Sequence, residues 1–184
     1  MKTTPVRDLM VPLSEYATVS QEATLSEAIL ALERAQEKFD PKRQRHRAIL
    51  VFDQNNKIVG KLSQLDILRA LEPKYAEMGE PGAMSRAGFS PQFLSSMVEK
   101  FSLWDAALEE LCTKAARLMV KDIMYTPSEG EYVNEGASLG EAIHMLLMGH
   151  HQSLLVTRGE DIVGILRLVD VFKAVCDAMK ACDL

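Results

Sequence analysis

The chain has 184 residues, of which 47% are hydrophobic and 26% are charged, and its formal net charge is −5. This composition is ordinary for a globular protein and excludes a mostly disordered chain, a collagen-like chain and a disulfide scaffold. The acidic balance, without a concentrated basic face, argues against sequence-independent binding of nucleic acid.

Cysteine usage and hydropathy indicate the compartment. Cys112, Cys176 and Cys182 form no C-x-x-C pair, so the sequence suggests neither a zinc clip nor a thioredoxin-type site. The longest apolar region, 143–156, is interrupted by polar residues and is too short for a bilayer, which needs about 20 apolar residues. The N-terminus lacks the apolar stretch of a signal peptide. We therefore expect a cytoplasmic protein with unpaired thiols and no membrane contact.

The sequence contains an internal repeat. Val6-Arg-Asp-Leu-Met10 returns as Val120-Lys-Asp-Ile-Met124, at an offset of 114 residues. The offset falls to 105 where His46 matches His151, so the first repeat carries about nine extra residues before His46. We therefore expect two repeats, 6–71 and 120–180, on either side of an insert at 72–119.

The first repeat predicts five elements. A short strand at 17–20 precedes a helix that begins at a capping box, Thr24-x-x-Glu27. Two apolar strands, 48–52 and 58–62, then flank a polar turn, and a second helix follows through 65–68.

The insert predicts a loop at 79–88, followed by an amphipathic helix that begins at Ser90. A second amphipathic helix is predicted to begin at Ser102 and to carry Trp104. The apolar sides of these helices either pack on the core or form a partner or dimer surface.

The second repeat predicts the same five elements. A strand at 132–134 and a capping box at Ser138-x-x-Glu141 are followed by strands at 153–156 and 162–166 and by a helix through 169–172. The predicted fold is therefore α/β, with two tandem β-α-β-β-α repeats packed sheet against sheet as a pseudo-two-fold module. Such packing leaves two related clefts, and clefts between symmetric halves are preferred ligand sites. The alternative is a duplicated fold with no ligand.

A short motif closes the sheet of the first repeat, Gly60-x-x-Ser63-x-x-Asp66. Gly60 lets another segment or a ligand approach the strand backbone closely. Ser63 is placed at the start of a helix, where free N–H groups favour phosphate, and the two oxygens of Asp66 match the vicinal hydroxyls of a ribose. The motif therefore fits a ribose phosphate, unless Ser63 and Asp66 only cap the helix.

The second repeat carries an altered motif, Gly164-x-x-Arg167-x-x-Asp170. The carboxylate is kept, but an arginine replaces the hydroxyl residue. Arg167 either reaches a phosphate as a bidentate partner or is simply solvated. We therefore expect two chemically unequal clefts.

Other candidate motifs are weaker. The histidines His144, His150 and His151 have no Cys or carboxylate at ligand spacing, so we expect no metal. The basic run 42–47 is either a solvated loop or a positive collar that draws a polyphosphate to a cleft. Because the sequence has no Ser-His-Asp order, nucleophile elbow or P-loop, we do not expect an enzyme.

Taken in order and twice over, these signals resemble a pair of CBS domains, the tandem unit also called a Bateman module. The resemblance rests on the two Val-[Arg/Lys]-Asp-[Leu/Ile]-Met openings, on the segment 46–53 and on the two Val-Gly…Asp segments. Such pairs are regulatory modules that bind adenosine nucleotides, or sometimes S-adenosylmethionine, in the clefts between the repeats.

The resemblance also implies roles for single residues. Asp66 and Asp170 would take the ribose and Ser63 would lie near phosphate, whereas Arg167 departs from the family pattern. A basic residue before the middle strand often faces phosphate in this family. That role would fall to His46 and Arg47 in the first repeat and, as a weaker match, to His151 in the second.

The resemblance finally implies partners. CBS pairs resemble flat half-discs that commonly associate, so we expect a homodimer that binds an adenine nucleotide (AMP, ADP or ATP), performs no catalysis and signals through an effector protein. The alternatives are a ligand-free interaction or assembly module that acts through the insert, and a module that binds S-adenosylmethionine.

Overall fold

A computed structural model describes residues 3–77 and 88–181 of the protein. Cys182 and most of the predicted loop at 79–88 lie outside these residues. The first repeat contains β1 (Val11–Pro12), β2 (Thr18–Ser20), α1 (Leu25–Lys38), β3 (Ala48–Phe52), β4 (Ile58–Ser63) and α2 (Gln64–Leu71). The insert contains α3 (Lys74–Glu77), α4 (Pro91–Phe101) and α5 (Leu108–Arg117). The second repeat contains α6 (Val120–Ile123), β5 (Tyr132–Asn134), α7 (Leu139–Gly149), β6 (Ser153–Arg158), β7 (Asp161–Arg167) and α8 (Leu168–Ala181).

The two repeats form equivalent sheets. In the first, β2 pairs parallel with β3, and β3 pairs antiparallel with β4. In the second, β5, β6 and β7 reproduce the same directions. The β-α-β-β-α order predicted for both repeats is therefore confirmed, and α1 begins at the predicted capping box of Thr24 and Glu27.

The sheets pack against each other, as the sequence predicted. Leu50 on β3, Leu155 on β6 and Ile165 on β7 meet in one buried cluster. The opposite face of each sheet packs on the helices, where Ile49 and Val51 belong to the core of the first repeat. Because the middle strands are buried on both faces, their sequences are continuous apolar runs rather than alternating ones.

The opening segments of the repeats are exchanged. Val11 pairs with Ile165, so β1 extends the sheet of the second repeat, and Val6 lies in the core of that repeat. Val120 correspondingly lies in the core of the first repeat, and Tyr125 forms a bridge with Lys61. The sequence repeats 6–71 and 120–180 are therefore offset from the packing units, and each packing unit borrows its first segment from the other repeat.

The exchange explains the two glycines of the Val-Gly segments. A Cβ atom at Gly60 would lie 2.6 Å from Sδ of Met124, and one at Gly164 would lie 2.5 Å from the carbonyl oxygen of Val11. Both strands therefore need a residue without a side chain, as predicted for Gly60, and the approaching group is the exchanged segment.

Helices α4 and α5 of the insert differ in burial. Helix α5 packs against α1, and its Ala115 joins the core of the first repeat. Helix α4 has no buried residue, and its Phe93, Leu94 and Val98 are exposed. The prediction that the second helix begins at Ser102 is wrong. Ser102 instead ends α4 in the left-handed conformation, with φ of 48°, and α5 begins at Leu108.

Candidate functional site

An open cleft of about 590 Å³ lies between the repeats, at the start of α2. We call it the first cleft. Ser63 and Asp66 line it from the first repeat, and Tyr125, Glu131 and His151 line it from the other side. Its volume lies within the usual range for small-molecule sites, about 300–1,000 Å³.

Ser63 and Asp66 form a capping box at the floor of the first cleft. The backbone N–H and the hydroxyl of Ser63 both donate to Oδ2 of Asp66, at 2.8 and 2.6 Å, and the backbone N–H of Asp66 donates to the hydroxyl of Ser63. The capping role expected as the alternative is therefore real. It leaves Oδ1 of Asp66 with only a long contact to Arg69, at 4.0 Å, so this oxygen can still accept hydrogen bonds from a ligand.

Two arginines give the first cleft a positive rim. Arg45 and Arg47 line the cleft and are exposed. The carbonyl oxygen of Arg47 accepts a hydrogen bond of 3.1 Å from the N–H of Gln64, the first residue of α2. Ala48 and Ser63 are paired across β3 and β4, so the preceding residue, Arg47, lies beside Ser63. The bond from Gln64 fixes the backbone of Arg47 at this place. The positive end of the α2 dipole and the two guanidinium groups together favour an anion.

A buried ion pair joins the repeats at the wall of the first cleft. Glu131 is only 2% exposed and pairs with Lys61, and it also accepts a 2.6 Å hydrogen bond from the hydroxyl of Tyr125. Burial raises the pKa of Glu131, but the bonds from Lys61, Tyr125 and Ser128 outweigh it, so the pKa lies below its usual value. The carboxylate is therefore charged at neutral pH.

The second cleft, on the side of Asp170, is filled by protein side chains. Arg167 is 4% exposed and Asp170 is 8% exposed. Nε of Arg167 donates to Oδ2 of Asp170 at 2.5 Å, and its second terminal nitrogen donates to Oδ1 at 2.8 Å. The remaining terminal nitrogen donates to the carbonyl oxygen of Gln44 at 2.7 Å. The guanidinium group thus faces protein acceptors, so the expectation of a solvated Arg167 is wrong.

Aromatic rings complete this packing. His46 is fully buried, with its ring 4.3 Å from that of Tyr16 and 4.2 Å from that of Phe39. Burial, together with the nearby charge of Arg167, lowers the pKa of His46 to about 4. His46 is therefore enclosed and neutral at pH 7 and does not line the first cleft, whereas its neighbour Arg47 does. Arg43 lies over Phe39 and 3.5 Å from Asp170. We refer to Phe39, Arg43, His46, Arg167 and Asp170 as the Arg167 cluster.

The sequence-predicted residues are therefore divided between two places. Ser63, Asp66, Arg47 and His151 line the first cleft, whereas His46 and Asp170 belong to the Arg167 cluster. Arg167 itself belongs to that cluster and also borders the first cleft. His46 and Arg47 are neighbours on an extended chain and point in opposite directions, as alternation requires.

Sequence reasoning missed several residues. Lys61, Tyr125 and Glu131 belong to no motif, and their side chains meet only through the exchanged segment. Phe39 had one signal, because it lies in the longer connection after α1 of the first repeat, whereas Arg43 lies in the basic run 42–47 that the sequence indicated as a candidate positive collar.

Among residues 3–77 and 88–181, which the structure describes, no three His, Cys, Asp or Glu side chains are grouped so as to hold a metal ion. None of the helices in the same ranges is long and apolar enough to cross a membrane.

Comparison with known proteins agrees with this architecture. The family model described as "CBS domain" matches residues 6–73 and 115–177. No curated protein sequence matches the chain.

Solved structures share the fold over nearly the whole chain. A CBS domain of a membrane protein from Sphaerobacter thermophilus is 21% identical, with a TM-score of 0.61. The match covers 94% of this chain and 88% of the Sphaerobacter chain. CBSX2 in complex with AMP is 20% identical, with a TM-score of 0.59, and the match covers 94% of this chain and 97% of the CBSX2 chain. The CBS domain of a bacterial CNNM/CorC family Mg²⁺ transporter in complex with ATP is 18% identical, with a TM-score of 0.60, and covers 95% and 89%.

Proposed function

We propose that this chain, which belongs to the CBS domain family, is a non-catalytic regulatory module that binds an adenine nucleotide in the first cleft. The observation that carries the proposal is the meeting of Asp66, the start of α2 and two exposed arginines around one open cleft. A nucleotide has complementary parts, since it offers hydroxyl donors on the ribose and negative charge on the phosphates.

Each part of the nucleotide has a matching protein group. The free Oδ1 of Asp66 would accept hydrogen bonds from the ribose hydroxyls, and the start of α2 would face the phosphates together with Arg45 and Arg47. Leu65 and Leu68 also line the cleft and are exposed. They offer apolar surface for the base.

The structural relatives support the ligand class. One of them was solved with AMP and another with ATP. Both share the fold with this chain, and the residues of the first cleft supply the chemistry for a ligand of the same kind. S-adenosylmethionine also carries a ribose but lacks phosphate, so it would use Asp66 without the arginines.

Calorimetric titration tests the proposal. We expect AMP, ADP or ATP to bind, and we expect Asp66→Ala to weaken binding by at least tenfold, because hydrogen bonds to a charged group contribute about 1.5–3 kcal/mol each. Asp161→Ala is the matched control, since Asp161 is an exposed aspartate at the start of β7 and lines no part of the cleft. Arg45→Ala/Arg47→Ala should weaken AMP binding and leave adenosine binding unchanged. Nucleotide affinity that is equal in wild type and Asp66→Ala would refute the ribose assignment.

One observation favours a second function, protein interaction through the insert. Phe93, Leu94 and Val98 form an exposed apolar side on α4. A homodimer or an effector protein that covers this side would account for it. Light scattering of wild type and of Leu94→Glu/Val98→Glu separates the cases, because a dimer through α4 would dissociate in the variant and a dimer through another face would not.

A further inference from the structure

We propose that Arg167 closes the second cleft as an internal substitute for a ligand, so that each chain binds one nucleotide, in the first cleft. This inference rests on the proposed function and adds the number of ligands and the residue that limits it.

The two clefts differ at matched positions of the sequence repeat. Ser63 in the first repeat corresponds to Arg167 in the second, and Tyr16 corresponds to Gly130 at the offset of 114. Beside Asp66 the small residue Ser63 lines the open first cleft, whereas the equivalent positions beside Asp170 hold the large residues Arg167 and Tyr16, which also border the first cleft. Tyr16 is 6% exposed and is packed against His46.

Arg167 occupies the hydrogen-bonding capacity that a ribose would use. Both oxygens of Asp170 accept from its guanidinium group, at 2.5 and 2.8 Å. The bidentate pair adds the attraction of opposite charges to its two hydrogen bonds. Ribose hydroxyls are neutral donors, so they would have to displace a partner that is held by its charge as well.

The connection between α1 and β3, residues 39–47, holds Arg167 in place. It has nine residues against three in the matching connection, 150–152, and it supplies Phe39, Arg43 and the carbonyl oxygen of Gln44. The guanidinium carbon of Arg167 lies 5.2 Å from the centre of the Phe39 ring, and its terminal nitrogen donates to Gln44. The matching connection of the second repeat, 150–152, lines the first cleft but has only three residues, and the cleft beside it stays open. One insertion and one substitution thus act together on a single cleft.

The test counts AMP molecules per chain by calorimetry. Arg167→Ser restores Gly-x-x-Ser-x-x-Asp at 164–170 and should raise the number from one to two. Arg167→Ser/Asp66→Ala should bind one AMP, and adding Asp170→Ala should abolish that binding. Arg158→Ser is the matched control, because Arg158 is an exposed arginine on β6 with a surface partner, and it should leave the number at one.

The outcomes separate this inference from the proposed function. If wild type binds two AMP per chain, or if folded Arg167→Ser still binds only one, the inference is wrong and the proposed function stands. If wild type binds none but Arg167→Ser binds one that Asp170→Ala removes, the first cleft is not the site, whereas closure by Arg167 stands. If neither binds AMP, ADP or ATP, both are wrong.

Folding of the variants is checked by circular dichroism and thermal melting. If Arg167→Ser does not fold, Arg167→Lys keeps a cation beside Asp170 while freeing one carboxylate oxygen, and it should gain a weaker second site. The wild-type number needs no variant at this position, and a value of one that Asp66→Ala reduces to zero supports the inference.

Discussion

Lys61 on β4 and Glu131 before β5 form an ion pair that joins the two repeats beside the first cleft. The side chain of Lys61 is 17% exposed and that of Glu131 is 2% exposed, so the pair is largely shielded from water. The same carboxylate accepts from Tyr125, which belongs to the exchanged segment. This one group therefore connects β4, the exchanged segment and the second sheet.

The first prediction concerns the stability that this pair provides. Glu131→Ala should lower the free energy of unfolding by about 3 kcal/mol, because removal of one partner leaves a shielded charge without compensation. Denaturant unfolding measures the change. Glu22→Ala is the control, since Glu22 and its partner Lys121 are each 44% exposed, and surface pairs contribute about 0–1 kcal/mol. Equal losses in the two variants would show that Glu131 is not effectively buried.

The second prediction compares two glycines in equivalent positions. Gly164→Ala places its Cβ 2.5 Å from a backbone oxygen of Val11, whereas Gly60→Ala meets a flexible side-chain sulfur of Met124 at 2.6 Å. Backbone atoms paired in a sheet cannot move aside as readily as a methionine side chain. We expect Gly164→Ala to cost about 2–3 kcal/mol, in the upper part of the range for overpacking, and Gly60→Ala to cost less. Thermal melting of the two variants checks the order, and the reverse order would contradict it.

Local patterns predicted those features that depend on neighbours in the sequence. The capping box at Thr24 and Glu27, the continuous apolar strands and the need for Gly60 all follow from short segments. The start of α5 was mispredicted because serine is a residue type that often precedes a helix. The left-handed conformation of Ser102 lies at the end of α4, next to the backbone of Trp104, which is held by Glu72 from 32 residues away.

The candidate site was predictable only in part, for a similar reason. Arg167 and Arg47 are both cations beside a predicted cleft. Arg167 turns inward because Phe39 and Gln44 reach it from the first repeat, and Arg47 faces the open cleft because nothing covers it. An acidic residue in a polar turn, such as Glu131, is ordinarily exposed, and its burial depends on a lysine 70 residues earlier. The orientation of a charged side chain is set by partners that the repeat pattern does not contain.

The third prediction concerns the pH dependence of stability. His46 has a pKa of about 4 in the folded protein, lowered by burial and by Arg167 and Arg43, and raised in part by Asp170. In the unfolded chain its pKa is about 6.5, so between pH 6.5 and 4 only the unfolded state takes up the proton. Acidification through this window should therefore destabilise the protein through His46, by up to about 3 kcal/mol.

Unfolding measured from pH 7 to pH 4 in wild type and in His46→Phe isolates this contribution. The phenylalanine keeps a ring between Tyr16 and Phe39 but cannot titrate, so the stability of wild type relative to the variant should fall as the pH falls. His144→Gln is the control, because His144 is exposed and should leave the pH profile of wild type unchanged. A constant difference between wild type and His46→Phe across this range would contradict the assignment.

The last prediction treats the insert as the route from ligand to output. Helix α2 begins at the capping box of the first cleft and ends at Glu72, which is 4% exposed. The carboxylate of Glu72 accepts a 2.7 Å hydrogen bond from the backbone N–H of Trp104, and the indole N–H donates to Tyr75 at 3.2 Å. A helix of eight residues spans about 12 Å, so a displacement at Asp66 is carried to the only tryptophan of the chain through one rigid element.

Trp104 fluorescence should therefore change when AMP saturates the protein, and the change should vanish in Asp66→Ala. A ligand shifts this element only if it binds the two arrangements with different affinity. Glu72→Gln tests the connection, because it weakens the acceptor for Trp104 without touching the cleft. It should reduce the fluorescence change while leaving AMP affinity within about twofold, which is under 0.5 kcal/mol. AMP that binds by calorimetry with no change in Trp104 fluorescence would mean that the insert is a rigid connector, as the firm packing of α5 on the first core also permits.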